Sequence, residues 1–340
     1  MFNRITSFFN KHHVIHSNQF GFKANSSTDL ALINLTQQIL KQMNNKHLTV
    51  GVFIDLSKAF DTINNDILLN KISHYGIRGT AHLWFVNYLK DRSQLVSLGD
   101  TNSALRGISI GVPQGSILGP LLFNIFVNDI FETSKLLSTI LYADDTNLFY
   151  SGNSIDEVTA VMNIELVKFS HWFSANRLKI NISKTNYMIF GPKIKLNALP
   201  LFRIEYGGTS LPRVGFTKFL GATITESLSW TDHINAVRRK MSKSVGLLSR
   251  FRNRLNHDII CHLYYSLIYP HITYCNLIWG NSPVSSMRTL SVIQNRFVRM
   301  LYGLGRTDNV DKYINTLNML TPRQVHCYSI LVFMFKLINN

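Results

Sequence analysis

The run Thr49-Val50-Gly51-Val52-Phe53-Ile54 is almost unbroken in apolar residues, and it ends on a carboxylate, Asp55. A short run of this kind, rich in β-branched and aromatic side chains, predicts a buried strand. The chain around it has 340 residues, 46% of them apolar. That is enough for a sizeable core and for two or three subdomains. A charge at the end of a buried strand is costly unless something pairs with it, and a divalent metal is one such partner.

A second stretch supplies more carboxylates. Leu141-Tyr142-Ala143-Asp144-Asp145-Thr146 lies between Ser138-Thr139-Ile140-Leu141-Tyr142 and Asn147-Leu148-Phe149-Tyr150. Both flanks read as short strands, so the Asp pair falls at or near a hairpin tip. Successive strand residues point to opposite faces, so only one of the two side chains faces a given site squarely. Taken alone, an Asp-Asp pair is more simply a solvated turn. Taken with Asp55, three carboxylates on two strands suit a pair of oxygen-ligated Mg²⁺ ions about 4 Å apart, the arrangement used for phosphoryl transfer.

The third stretch is Gly111-Val112-Pro113-Gln114-Gly115-Ser116-Ile117-Leu118-Gly119-Pro120. Together with Phe53-Ile54-Asp55-Leu56-Ser57-Lys58-Ala59-Phe60-Asp61 and Tyr142-Ala143-Asp144-Asp145, it resembles the successive motifs of reverse transcriptases. The likeness is to the enzymes of non-LTR (LINE-like, jockey-type) retrotransposons. It rests on three motifs in the family's order and approximate spacing.

The resemblance implies an α+β right-hand polymerase fold. It divides the chain into a fingers remnant (1–48), a palm with an antiparallel sheet (49–225), and a helical thumb with the segment following it (226–340). It implies RNA-directed DNA polymerisation from dNTPs, with RNA template and DNA primer or target DNA as partners. The cofactor implied is two Mg²⁺, for which Mn²⁺ can substitute. Asp55 and Asp144 are the first two metal ligands, a backbone carbonyl beside Asp55, that of Leu56, assists, and Asp145 is the third carboxylate. Phe60 is implied as the ring that excludes a ribose 2′-hydroxyl, although read alone it is a buried ring. Pro113, Gln114 and Gly115 are implied to line the nascent base-pair pocket; alone, they are a turn. Lys184 matches the lysine proposed to protonate the departing pyrophosphate, and Phe219-Leu220-Gly221 the element that grips the primer end. The segment from Gln19 to Leu32 matches one that contacts template. Asn25-Ser26-Ser27-Thr28 stands where the family usually has Gly-His-Ser-Thr. Against the family pattern, the amino-terminal endonuclease and the early basic fingers segment are not in this sequence, which reads as an amino-terminally truncated element copy or an incomplete gene model. A non-catalytic chain that only binds nucleic acid is the rival reading.

Lys and Arg outnumber Asp and Glu by 35 to 19, a net charge of +16. That excess favours a polyanionic partner. No stretch approaches the ~18 consecutive apolar residues of a membrane span. The start, Met1-Phe2-Asn3-Arg4, lacks the apolar core of a signal peptide. Three widely separated cysteines (Cys261, Cys275, Cys327) predict free thiols in a reducing compartment. An intracellular protein of nucleus or cytoplasm is expected, with no membrane and no obligate protein partner. Cys261-His262 and His271 with Cys275 lack paired Cys-x-x-Cys spacing, so zinc is not supported.

The remaining elements follow from periodicity. Phe2, Ile5, Phe8 and Phe9 form a helical stripe, and Ser27-Thr28 can start a helix carrying Leu30, Ile33, Leu35 and Ile39. Helices are expected with Ile67, Leu68 and Ile72 inward, from Thr80 to Leu89 burying Leu83, Trp84 and Tyr88, and after Pro120. A hairpin is expected over Gln94–Ile110. Ser154-Ile155-Asp156-Glu157 is a capping box that opens a long amphipathic helix. Strands are predicted at Leu178–Asn181 and Tyr187–Phe190, and a second small sheet from Phe202–Tyr206 and Lys218–Gly221. From Trp230, the stripe Ile234, Val237, Met241, Val245, Leu248 and Leu255 predicts a helix. Arg238, Arg239, Lys240, Lys243, Arg250, Arg252 and Arg254 decorate it, with no Asp or Glu between His233 and His257. A solvated face mixes signs, so this face reads as one that tracks phosphates.

Overall fold

The central strand Leu48–Ile54 is buried along its whole length in this computed structural model. The structure describes residues 1–192, 195, 196, 200 and 202–339. The strand is flanked by Asp145–Gly152 on one side and Asn186–Phe190 on the other, and Ser138–Tyr142 adds to the outside of Asp145–Gly152. All neighbours are antiparallel. Alternation sorts the central strand into two faces. Leu48, Val50, Val52 and Ile54 join one large core with Leu122, Phe123, Phe126, Leu166 and Phe169. The opposite face holds Thr49, Gly51 and Phe53. There Phe53 stands edge-on to Phe149 at 5.8 Å, and Phe149 lies 6.4 Å from Phe190.

Two helices supply most of the cover. Leu118–Val127 is buried at nine of its ten positions. Ile155–Ala175 begins as the capping motif predicts: Ser154 accepts from the Glu157 amide at 3.2 Å, and the Glu157 carboxylate accepts from the Asn153 amide at 3.1 Å. It buries Ile155, Val158, Met162, Leu166, Phe169 and Phe173.

The chain divides into two compact units, one of residues 1–31 and 37–215, the other of 32–36 and 216–340. In the second, Thr231–Phe251 buries Ile234, Val237, Met241, Val245 and Leu248. The helix Val284–Tyr302 packs against it. No helix among the described residues is long and apolar enough to cross a membrane.

Several local expectations change. The helix Gly79–Leu89 buries Phe85 and Leu89, whereas Leu83 (61%) and Trp84 (39%) are exposed. Positions 85 and 89 share a face one turn apart, and the preceding pair falls on the other side. Trp84 instead stacks on Tyr88 at 5.2 Å. Leu178–Asn181 makes no strand. Only Ile180 bridges Leu56, because the Asn181 carbonyl is drawn into a turn with the amides of Lys184 and Thr185. The second small sheet is two separate hairpins, Glu205–Tyr206 with Thr209–Ser210 and Phe216–Phe219 with Ala222–Thr225. Each closes on its own two-residue turn of positive φ, Gly207-Gly208 and Leu220-Gly221, which completes the pairing locally.

A Cβ on Gly51 would lie 2.5 Å from a ring carbon of Phe149 and 3.1 Å from Phe190. Gly51→Ala is therefore expected to overpack the sheet and lower stability by roughly 1–3 kcal/mol, read as a shift in the urea midpoint at unchanged slope.

Candidate active site

Asp55 follows the central strand directly, and Asp145 opens the strand paired with it. The last pair of the ladder is Ile54 with Thr146, so the next residues outward are Asp55 and Asp145. Tyr142 pairs with Asp145, leaving Ala143 and Asp144 as a two-residue hairpin turn. Ala143 sits at φ +55, a left-handed conformation that costs a residue with a Cβ about 1–2 kcal/mol. All three carboxylates thus arrive at one end of the sheet.

They repel. Crowding by surrounding protein atoms, then Asp144, then Asp55, push the Asp145 pKa up to about 6, although Asp145 is an exposed residue whose solvent contact screens part of this. The exposed Lys184 ammonium stands 3.9 Å from an Asp55 carboxylate oxygen. Its segment is anchored by Thr185, a buried residue whose hydroxyl accepts from the Asp55 amide at 3.2 Å. Two bonds, Ser57 amide to Lys179 carbonyl and Asn181 amide to Asp55 carbonyl, both 2.8 Å, fix the chain on either side of Leu56. Among the described residues, no three His, Cys, Asp or Glu side chains already close around one point as a ligand set. The donors nevertheless suit a hard divalent cation. They are carboxylate oxygens whose mutual repulsion a dication would relieve.

Phe60 lies in the single helical turn Ala59–Asp61, after Lys58 at φ +50. Its half-buried ring stacks on Phe123 at 4.4 Å and meets Phe22 edge-on at 6.1 Å. The loop Gly111–Gly119 docks on the same turn: Val112 donates to the Phe60 carbonyl at 3.0 Å and Gly111 to that of Ile63 at 2.7 Å. Gly111 is at φ +87, and a Cβ there would meet the Asp61 carbonyl at 2.7 Å. Gln114 and Gly115 are exposed, Pro113 half-buried. The Gln114 amide donates to the Asp61 carboxylate at 2.7 Å. Asp61, which sequence alone left without a role, therefore orients Gln114. A cleft of about 720 Å³ opens here, lined by Lys58, Asp61, Arg92, Gln94, Gly111 and Gln114.

In the second unit, Phe219 is buried, Leu220 at the hairpin tip is half-buried and Gly221 is exposed. Tyr274 holds the tip by donating to the Leu220 carbonyl at 2.7 Å. Arg238, Arg239, Lys240, Lys243 and Arg250 are exposed on the helix Thr231–Phe251, and Arg252 and Arg254 follow its end, also exposed.

A carboxylate whose pKa is raised binds its proton more tightly in the folded chain than in the unfolded one. Stability therefore falls as pH rises from about 4 towards about 6, and levels off above. In metal-free buffer, the difference in thermal midpoint between the parent and Asp145→Asn should grow across that window, with the parent losing ground. An unchanged difference would refute the crowding of these carboxylates.

Comparison with known proteins adds kinship to this geometry. Residues 1–224 match the family model described as reverse transcriptase (RNA-dependent DNA polymerase). A probable RNA-directed DNA polymerase from transposon BS of Drosophila melanogaster is 29% identical over 96% of this chain and 37% of its own length. The RNA-directed DNA polymerase from mobile element jockey of the same organism is 27% identical over 84% of this chain and 32% of its own. The chain thus spans about a third of the curated relatives it matches. Among solved structures, apo telomerase from Candida tropicalis is similar at a TM-score of 0.45 and 12% identity, covering 92% of this chain and 56% of that one.

Proposed function

Because this chain belongs to the reverse transcriptase (RNA-dependent DNA polymerase) family, we propose that it is the RNA-directed DNA polymerase of a jockey-like non-LTR retrotransposon. It extends a DNA primer with dNTPs on an RNA template. The observation that carries this reading is the meeting of Asp55, Asp144, Asp145 and Lys184 at one end of the antiparallel sheet. The α+β fold is that of a right-hand polymerase, with this sheet as its palm.

The reaction joins a primer 3′-hydroxyl to the α-phosphate of a nucleotide and expels pyrophosphate. Asp55, Asp144 and the Leu56 carbonyl, with Asp145 beside them, would hold two Mg²⁺ (or Mn²⁺), which supply acidity to the hydroxyl and charge to the departing pyrophosphate. Lys184, exposed beside Asp55, would give its proton to the leaving oxygen, a reading its nearness to Asp55 supports. Phe60, braced by Phe123 and Phe22, supplies a rigid wall below the sugar. Gln114, oriented by Asp61, and Gly115 face the nucleotide with Pro113 behind them.

Residues 1–48 are read as the fingers remnant and 49–225 as the palm, of which the last ten residues fold with the second unit. Residues 226–340 are read as the thumb and the segment following it. The Leu220-Gly221 tip is assigned to the primer end. The basic helix and the two arginines beyond it are assigned to the duplex backbone, because phosphate neutralisation needs cations unopposed by nearby carboxylates. This chemistry is that of an intracellular protein working where element RNA meets DNA.

Primer extension on an RNA template with a DNA primer tests the reading. Incorporation of dNTPs by the parent, lost to background in Asp144→Asn, is the expected result. Salt-sensitive binding without extension would show a chain that only binds nucleic acid. Phe60→Ala should lower the preference for dNTPs over NTPs by roughly tenfold to a hundredfold. Replacing Arg238, Arg239 and Lys240 together by Ser should flatten the plot of log affinity against log salt by roughly 2–3 units.

A further inference from the structure

The carboxylate turn is held from beneath by a segment far away in sequence. Residues Asn18–Phe20 lie parallel to Leu141. The Leu141 amide donates to the Asn18 carbonyl at 3.0 Å, and the Phe20 amide to the Leu141 carbonyl at 2.9 Å. Gln19, 1% exposed, turns its side-chain oxygen to the main chain, accepting from the Gly21 amide at 2.9 Å and from the Ala143 amide at 3.3 Å. Ala143 is the left-handed residue of the turn, so this bond falls where the backbone is least at ease. Gly21 completes the seat: a Cβ on it would overlap the Ala143 nitrogen, and Asn124, itself buried, donates to the Gly21 carbonyl at 2.8 Å. One helical turn further on, Asn128 secures the earlier part of the strap. It donates to the Val14 carbonyl at 2.8 Å and accepts from the His16 amide at 2.9 Å. Both of these Asn128 bonds go to the strap and not to the carboxylate turn.

We propose that Gln19 is a positioning residue: by accepting from the Ala143 amide it holds the turn in its left-handed form and so sets where Asp144 and Asp145 stand relative to Asp55. The inference rests on the reading of these carboxylates as divalent-cation ligands. An apolar residue of similar length at position 19 leaves the Ala143 amide unpaired and lets the turn relax to a right-handed conformation. That moves the two carboxylates apart from Asp55 without removing a ligand. Replacing Ala143 by glycine removes the conformational penalty, so the turn then needs less support. A purely structural role for Gln19 would show no such rescue.

The test is Mn²⁺ binding to the purified full chain, followed by electron paramagnetic resonance of free Mn²⁺, alongside thermal melts. The parent should bind, and Asp144→Asn should bind at least tenfold more weakly. A parent that binds no better than Asp144→Asn would overturn the cation reading itself. Given binding by the parent, Gln19→Met is expected to weaken it about tenfold, Gln19→Met with Ala143→Gly to recover most of the loss, and Asn128→Ala to stay within twofold of the parent even where its melting temperature falls. Parent-like affinity in Gln19→Met, or equal weakening in Asn128→Ala, would overturn the proposal. Should Gln19→Met not fold, Gln19→Ser takes its place, since its short side chain cannot reach the Ala143 amide; it too must weaken Mn²⁺ binding and be rescued by Ala143→Gly, and parent-like binding by it would overturn the proposal.

Discussion

The antiparallel register of Leu48–Ile54 against Asp145–Gly152 is the constraint on which the rest of the molecule depends. Pairing Ile54 with Thr146 makes Asp55 and Asp145 the next residues on adjacent strands. A slip of one residue would turn every side chain of the central strand to the opposite face, exchanging Val50 and Val52 for Gly51 and Phe53 in the helix-covered core. The register is therefore enforced by burial on both faces, not by the carboxylates. Gly51 leaves room for the Phe149 ring, and Thr49 bonds Ser151 across the strands at 2.8 Å. Hydrophobic packing determines where the charged groups go, and their repulsion is tolerated because the sheet is already determined.

That division of labour explains a stability–function opposition at the sheet end. Three carboxylates that crowd one another, a left-handed alanine, and buried polar atoms without partners, among them Gln19 Nε2 and Asn124 Oδ1, are all found there. Each is unfavourable to folding when considered by itself. By contrast, the half-buried Lys71 ammonium on the helix Asn65–His74 has close partners. It bonds Asp129 at 2.7 Å and the Phe126 carbonyl at 2.6 Å, and it lies over the rings of Phe126 and Trp172. Other buried polar atoms of this unit, among them Thr6 Oγ1, Asn65 Oδ1 and Trp172 Nε1, keep unused capacity as those near the carboxylates do.

Much of this was legible in the sequence. The central strand, the hairpin with its Asp pair, the helix opened by Ser154 and the apolar stripe from Ile234 to Leu248 all follow from periodicity and turn chemistry. What could not be read locally depended on distant partners. Gln19 looks like an ordinary polar residue in a loop until Leu141 and Ala143 are placed beside it, and Asp61 acquires a task only when Gln114 folds over it. Leu83 and Trp84 have the composition of a core but the wrong helical phase, a distinction that periodicity blurs when apolar residues are consecutive. Leu178–Asn181 has the residues of a strand, but the turn drawn tight by Asn181 leaves it a single bridge. Only family resemblance implies roles for Phe60 and Lys184; the geometry that braces the one and anchors the other comes from Phe123 and Thr185.

The order of strands across the sheet also has a consequence for synthesis. The central strand is made first, and both its neighbours, Asp145–Gly152 and Asn186–Phe190, come much later along the chain. During translation, Leu48–Ile54 leaves the ribosome with both edges unpaired and both faces apolar; one edge stays open until Gly152 has been made and the other until Phe190. A seven-residue segment of this composition is the kind that templates intermolecular β-pairing. A nascent chain of this design therefore has reason to need either rapid elongation through its first half or a chaperone that shields this strand until its partners arrive.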